Sequence, residues 1–397
     1  MSFLIFCTFE VGGLPFRMAE ILNRFGYKTY YIHLGKETSD HDSTRFHYGA
    51  VSKDWDVSKV FRHDTNHPNK LIDILKSVKT NFNISHCLAT GMGSYLLNRA
   101  GIHYKYWSYG ADLDQDCFMR TYLVDYSVLM GLLAHPFRVY FIRQRARESI
   151  SSADSVMTAP YQKYERAMIC PHKPMFFLPA FQKIIDYGEL EQLRFINRER
   201  ICTRLNVERY FFSSTRHVWA SYQSKMSDNK GNNVILDSYA RYLKKTNDLN
   251  SKLVLINKGP DVKYSRILAE ELNITKHIEW LDEMKRDDLD RYYQGAAICF
   301  GQFGTPVINC SILEPLANGS IGISFSILER SNVLSYTEDP PILNCKDPEK
   351  IAEFMAKILC DKEYYKKSSY QSWLWVKNHC SEEKFVESFV ELFRVGC

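Results

Sequence analysis

Phe3-Leu-Ile-Phe-Cys-Thr-Phe-Glu-Val-Gly-Gly-Leu-Pro-Phe-Arg-Met-Ala-Glu-Ile-Leu-Asn-Arg-Phe-Gly-Tyr-Lys-Thr-Tyr-Tyr-Ile-His-Leu34 is the stretch that sets the architecture of this chain. Its first seven residues are an aromatic and aliphatic run, the composition of a strand buried on both faces. Gly12 and Gly13 follow, and then Pro15 to Phe25 places Met18, Ile21, Leu22 and Phe25 on one helical face. Gly26 ends that helix, and Thr29 to Leu34 returns to strand composition. Strand, loop, helix and strand within about thirty residues form the building block of a doubly wound parallel sheet.

The alternation continues outward. Helices are expected near Leu71 to Lys79, Ser94 to Asn98 and Tyr140 to Ser151, with strands near His86 to Ala89, Tyr104 to Trp107 and Ser155 to Thr158. From Asp186 to Arg209 the chain is strongly charged and loses this rhythm, which places a domain junction there. A second α/β series runs from Tyr210 to Phe325. The fold class expected is therefore α/β, with one domain over residues 1–190 and another over 191–377. Tyr370 to Phe393 reads as helix, with Phe385, Phe389 and Phe393 at four-residue steps, and a terminal helix of about residues 378–397 is expected to pack back on the first domain.

Composition narrows the class. The chain has 397 residues, 45% of them hydrophobic and 24% charged, which exceeds one ordinary core and carries no bias toward disorder. Its charge of +5 is a small excess of 51 basic over 46 acidic residues, so no nucleic-acid partner is called for. Eleven cysteines are scattered without a Cys-x-x-Cys pair, which argues against a disulfide framework or a structural zinc. The amino terminus lacks the basic flank of a signal peptide, and the apolar stretch Tyr122 to Ile142 carries Asp125, His135, Pro136 and Arg138. A cytoplasmic location is expected, without a spanning helix.

Several residues carry possible chemistry. Glu314 is a lone acid in the apolar helical stretch Asn309 to Ala317, which is followed by Gly319 and a strand. Such a carboxylate can accept both hydroxyls of a ribose while the free N–H groups of the same turn favour a phosphate, or it is one exposed acid on a surface helix. Gly12 and Gly13 allow a backbone to approach a ligand closely, or make a tight turn. Arg216, Lys225, Lys230 and Lys258 lie in or beside loops after expected strands, where cations would neutralise a diphosphate and stabilise it as a leaving group. A solvated loop is the other reading of Lys225 and Lys230. Asp112 closes Trp107-Ser-Tyr-Gly-Ala-Asp112 and either meets an acceptor and assists proton transfer or caps the next helix. The aromatic and basic stretch from Phe118 to Arg147 reads as a membrane-interface or lipid-acceptor face, or as ordinary core helices.

Taken together, Arg216-His-Val-Trp219, Lys230-Gly-Asn-Asn233, Asn257-Lys-Gly-Pro-Asp261, Ile278-Glu-Trp-Leu281 and Leu313-Glu-Pro-Leu-Ala-Asn-Gly319 stand in the order of a GT-B glycosyltransferase. The chain most resembles family 4 of the retaining, nucleotide-sugar-dependent enzymes. The resemblance covers nearly the whole chain and is strong in its second half. It implies two Rossmann-like domains facing across a cleft, the first binding the acceptor and the second the donor. Arg216 and Lys230 look like the residues that hold the donor diphosphate, and Glu314 like the acid that binds its ribose. Gly12 and Gly13 resemble the loop that meets the phosphates from the first domain, and Lys258 and Leu313 join the implied donor-binding set.

Two departures stand out. The family's Glu-x7-Glu pattern places an acid where this chain has Pro306, and the nearest polar residues are Gln302 and Asn309. Many relatives carry a His where this chain has Tyr109. The implied reaction moves a sugar from a nucleoside diphosphate sugar, as co-substrate, to a hydroxyl of a glycan or lipid-linked acceptor. Retention and independence of metals and cofactors are implied with it, while the stretch from Phe118 to Arg147 adds an expectation of peripheral membrane contact. A sugar-nucleotide epimerase and a non-catalytic glycan-binding or assembly subunit are the alternatives.

Overall fold

The computed structural model describes residues 1–7, 14–34, 60–63, 68–91, 93–108, 136–157, 169–174, 178, 180–220, 229–327 and 338–394. The chain divides into two compact units, one of residues Met1–Leu178 with Val386–Cys397, the other of Pro179–Phe385.

The first unit contains β1 (Ser2–Cys7), α1 (Leu14–Arg24), β2 (Lys28–Leu34), β3 (Val60–His63), α2 (Pro68–Phe82), β4 (His86–Thr90), α3 (Tyr95–Arg99), β5 (Lys105–Trp107), α4 (Pro136–Ser151) and β6 (Ser155–Met157). The strands pair in parallel in the order β3-β2-β1-β4-β5-β6. Leu4 and Phe6 of β1 lie in a core with Ile32, Leu75, Leu97, Tyr106 and Val156. β1 is buried from Phe3 to Cys7 because a central parallel strand is covered on both faces.

The second unit contains α5 (Tyr187–Leu205), β7 (Arg209–Ser213), α6 (Asn232–Thr246), β8 (Ser251–Ile256), α7 (Val262–Glu271), β9 (Ile278–Leu281), α8 (Arg286–Gly295), β10 (Ile298–Phe300), α9 (Cys310–Ala317), β11 (Gly322–Ser324), β12 (Ile342–Asn344), α10 (Pro348–Cys360) and α11 (Lys362–Cys380). Its sheet is also parallel, in the order β12-β11-β10-β7-β8-β9. Counted from its own first strand, that order is the same as in the first unit. Both sheets have the order of a dinucleotide-binding doubly wound fold.

The charged stretch after Asp186 is α5. The Asp186 side chain caps it by accepting from the N–H groups of Gly188 and Glu189, and Leu190, Ile201 and Leu205 are buried along one side. Its many charged residues, together with the exposed Phe195 and Ile196, hid the helical face in the sequence. The carboxy-terminal helical stretch is two helices, α11 and α12 (Glu382–Arg394), separated at Ser381. No described helix is long and apolar enough to cross a membrane.

Candidate functional site

In a doubly wound sheet, neighbouring loops leave in opposite directions where the strand order reverses, and ligands bind beyond the carboxyl ends of the strands at that point. In the second unit the reversal lies between β7 and β10. The segments that follow these strands are 214–231 and 301–309, and they contain Arg216, Lys230, Gln302 and Asn309.

Hydrogen bonds bind the two segments together. Ser213 Oγ donates to Phe300 O at 3.1 Å, and Lys230 N–H donates to Val218 O at 2.7 Å. Phe303 N–H then donates to Lys230 O at 2.9 Å. Gly231 starts α6 at φ 67°, and a Cβ there would lie 2.7 Å from Gly304 N. Only glycine meets both conditions, so the Lys-Gly pair is a backbone requirement.

Asn232, buried, accepts from Val218 N–H at 3.2 Å and donates to Thr215 O at 3.3 Å. Buried Asp261 accepts from the N–H groups of Trp219 and Ala220 at 2.6 and 2.9 Å. His217 N–H donates to Lys258 O at 2.7 Å, and its ring Nδ1 lies 2.8 Å from Ser265 Oγ. These contacts fix the path of the loop that presents Arg216, whose side chain is exposed.

Lys230, Gln302 and Asn309 meet at the start of α9. Lys230 Nζ and Asn309 Nδ2 both donate to Gln302 Oε1, at 3.2 and 2.6 Å. Asn309 is also the N-cap of α9, its Oδ1 accepting from Ser311 N–H at 3.1 Å. An ammonium thus stands beside the positive end of a helix, an arrangement that favours an anion.

Glu314 lies farther along α9, largely shielded, and forms an ion pair with Arg286 of α8. The Tyr293 hydroxyl is 3.0 Å from Glu314 Oε2 and 2.7 Å from Ser214 Oγ. Having one proton, it donates to the carboxylate and accepts from Ser214. Glu314 is linked in this way to the segment after β7. Arg286 Nε also lies 3.1 Å from Asp290 Oδ1. Burial pushes the Asp290 carboxyl up, and Arg286 opposes that effect. Burial likewise raises the Tyr293 hydroxyl, so it remains a donor.

The structure brings together Lys230, Gln302 and Asn309, and it ties Glu314 separately through Tyr293 to Ser214. It gives two expected residues other surroundings. The Lys258 ammonium pairs with Glu283 at 2.6 Å, so the residue contributes its carbonyl to the Arg216 loop. Leu313 packs with Ile312, Leu316, Trp375 and Val376, which leaves only its backbone near the helix start. Gly12, Gly13, Lys225, Tyr109 and Asp112 lie outside the described residues. Arg286, Tyr293 and Asn232 escaped the sequence reading. Asn232 was within the quoted Lys-Gly-Asn-Asn motif, but nothing marked Arg286 or Tyr293 as facing Glu314.

Two parallel sheets of this order define a two-domain α/β protein of GT-B fold. Residues 220–373 match the family model of the glycosyl transferases group 1, which span most of the second unit and include Lys230 and Glu314. The second unit therefore carries a domain of that family, and the chain is a glycosyltransferase. Sucrose-phosphate synthase from Thermosynechococcus elongatus is similar in structure at TM-score 0.63 and 11% identity, over 99% of this chain and 98% of that one. A glycosyltransferase from Rickettsia africae gives TM-score 0.63 and 14% identity over 99% and 97%. HepE from Anabaena, in complex with UDP-glucose, gives 0.65 and 11% over the full length of both. No curated protein sequence matches the chain significantly.

Proposed function

We propose that this glycosyltransferase takes a sugar from a uridine diphosphate sugar, bound on its second unit, and transfers it to a hydroxyl of a glycan or lipid-linked acceptor. The observation that carries the reading is the convergence of Lys230, Gln302 and Asn309 at the start of α9. HepE of Anabaena, similar over its full length, is known with UDP-glucose, and this supports uridine and a hexose.

Lys230, the exposed Arg216 and the helix start would take the two phosphates. Glu314 would accept the ribose hydroxyls, with Tyr293 and Arg286 fixing its orientation. As the acceptor oxygen bonds to the anomeric carbon, the bond from that carbon to the β-phosphate oxygen breaks. The acceptor proton passes to the departing diphosphate, whose charge is held by Lys230 and Arg216. Such same-face displacement retains configuration and needs no protein nucleophile.

Titration calorimetry with UDP and turnover with UDP-glucose test the reading. Lys230→Ala is expected to weaken UDP about ten- to hundred-fold, the cost of losing a charge-assisted bond. Glu314→Ala is expected to weaken uridine nucleotides while sparing inorganic pyrophosphate. Wild-type protein that binds no nucleoside diphosphate, or variants that turn over normally, would sink the assignment.

A further inference from the structure

The Gln302 side-chain amide has four hydrogen-bonding positions, and all four are used. Its Oε1 accepts from Lys230 Nζ at 3.2 Å and Asn309 Nδ2 at 2.6 Å. Its Nε2 donates to Thr305 O at 2.7 Å and Val307 O at 3.3 Å. An amide oxygen offers two lone pairs and an amide nitrogen two protons, so nothing remains for a ligand. Its backbone carbonyl is likewise taken, accepting from Ser324 Oγ at 2.8 Å and Phe325 N–H at 3.0 Å. The residue has no exposed surface.

We infer that Gln302 is a positioning residue of the transferase, holding the Lys230 ammonium and the Asn309 cap of α9 in one fixed relation without touching the donor. The inference rests on the donor reading above and adds to it. The segment 303–308 leaves β10 and must bend back to begin α9 at Asn309. The Gln302 amide clasps that bend through two carbonyls, and its oxygen faces the cation and the cap. An acid at this position would reverse the first half of the arrangement: a carboxylate faces two carbonyls with no proton to offer, and it neutralises Lys230. A neutral amide holds the lysine without cancelling its charge. A glutamine therefore suits a chain whose bend carries Pro306 and no acid.

The test uses Gln302→Leu, Gln302→Glu, Lys230→Ala and the Q302L/K230A double variant, with UDP affinity by calorimetry, KM and kcat for UDP-glucose, and thermal melts. Q302L is expected to weaken UDP about ten-fold or more, since a hydrogen bond to a charged group is lost. KM should rise more than kcat falls. In the double variant the loss should fall short of the product of the two single losses by about ten-fold, because Gln302 acts partly through Lys230. Q302E relative to wild type should recover UDP affinity as pH falls from 8 to 5, because the protonated carboxyl regains a donor for the Thr305 and Val307 carbonyls. A merely structural role would give multiplicative losses and no recovery in acid, and either result overturns the inference. If wild type binds UDP and Q302L binds it equally well, the inference alone fails. If wild type binds no UDP, the donor reading fails and takes this inference with it.

Discussion

Glu314 lies against Arg286 and the Tyr293 hydroxyl, and all three side chains are largely shielded from water. Removing one partner of such a pair costs more than the pair itself contributes, because the other charge stays behind without compensation. Arg286→Met strands two carboxylates, Glu314 and Asp290, and is expected to destabilise the second unit by about 3 kcal/mol or more. Urea denaturation of the two proteins measures the difference, and a change below about 1 kcal/mol would mean the pair is solvated like a surface bridge. Glu314 was readable in the sequence because an acid inside Leu313-Glu-Pro-Leu is conspicuous. Arg286 was not, because Asp287 and Asp288 follow it and the segment reads as an ordinary solvated helix start. Its partner is also 28 residues away in sequence (314 − 286), and only the packing of α8 beside α9 joins them.

The loop between β7 and α6 is the element to which the proposed function assigns Arg216 and Lys230, and it contains a buried histidine. Burial pulls the His217 imidazole down to about 4, with nearby Asp261 opposing. A free imidazole protonates near pH 6.5, so between that value and about 4 the unfolded chain binds a proton that the folded chain refuses. Stability contributed by neutral His217 is therefore complete above about pH 6.5 and lost as pH falls toward 4, by about 3 kcal/mol in all. Melting curves from pH 7.5 to 4.5 should show this decline, and His217→Gln should flatten it. An unchanged slope in that variant would place the acid sensitivity elsewhere. The strands and helices around this loop follow the apolar periodicity closely. β12, only Ile342–Asn344, is too short to show a period. α10 escaped notice although Asp347 at its N-cap, accepting from Glu349 N–H, and Pro348 at its first turn announce a helix start. The break at Ser381 between α11 and α12 was hidden because neither Gly nor Pro stands near it.

At the scale of the molecule, two sheets with one strand order carry the same reversal point, and the described residues proposed to bind the donor belong to the second unit. The sequence led to a terminal helix on the first domain, and what it left open is the strand that helix meets. Phe389 and Phe393 of α12 lie 5.2 and 5.6 Å from Phe3 of β1, and Lys105 Nζ stands 5.4 Å over the Phe393 ring. Phe389 is fully buried, so Phe389→Ala should cost about 3–5 kcal/mol and act on the first unit, far in sequence from any of its strands. Hydrogen exchange would reveal it as faster exchange in β1 and β4, and unaltered protection there would contradict the packing. This helix also imposes an order of events during synthesis. The ribosome delivers residues 386–394 only after it has made every residue of the second unit. Until then β1 waits with the Phe3 side uncovered, so the half of the protein that is translated first is the last to be completed.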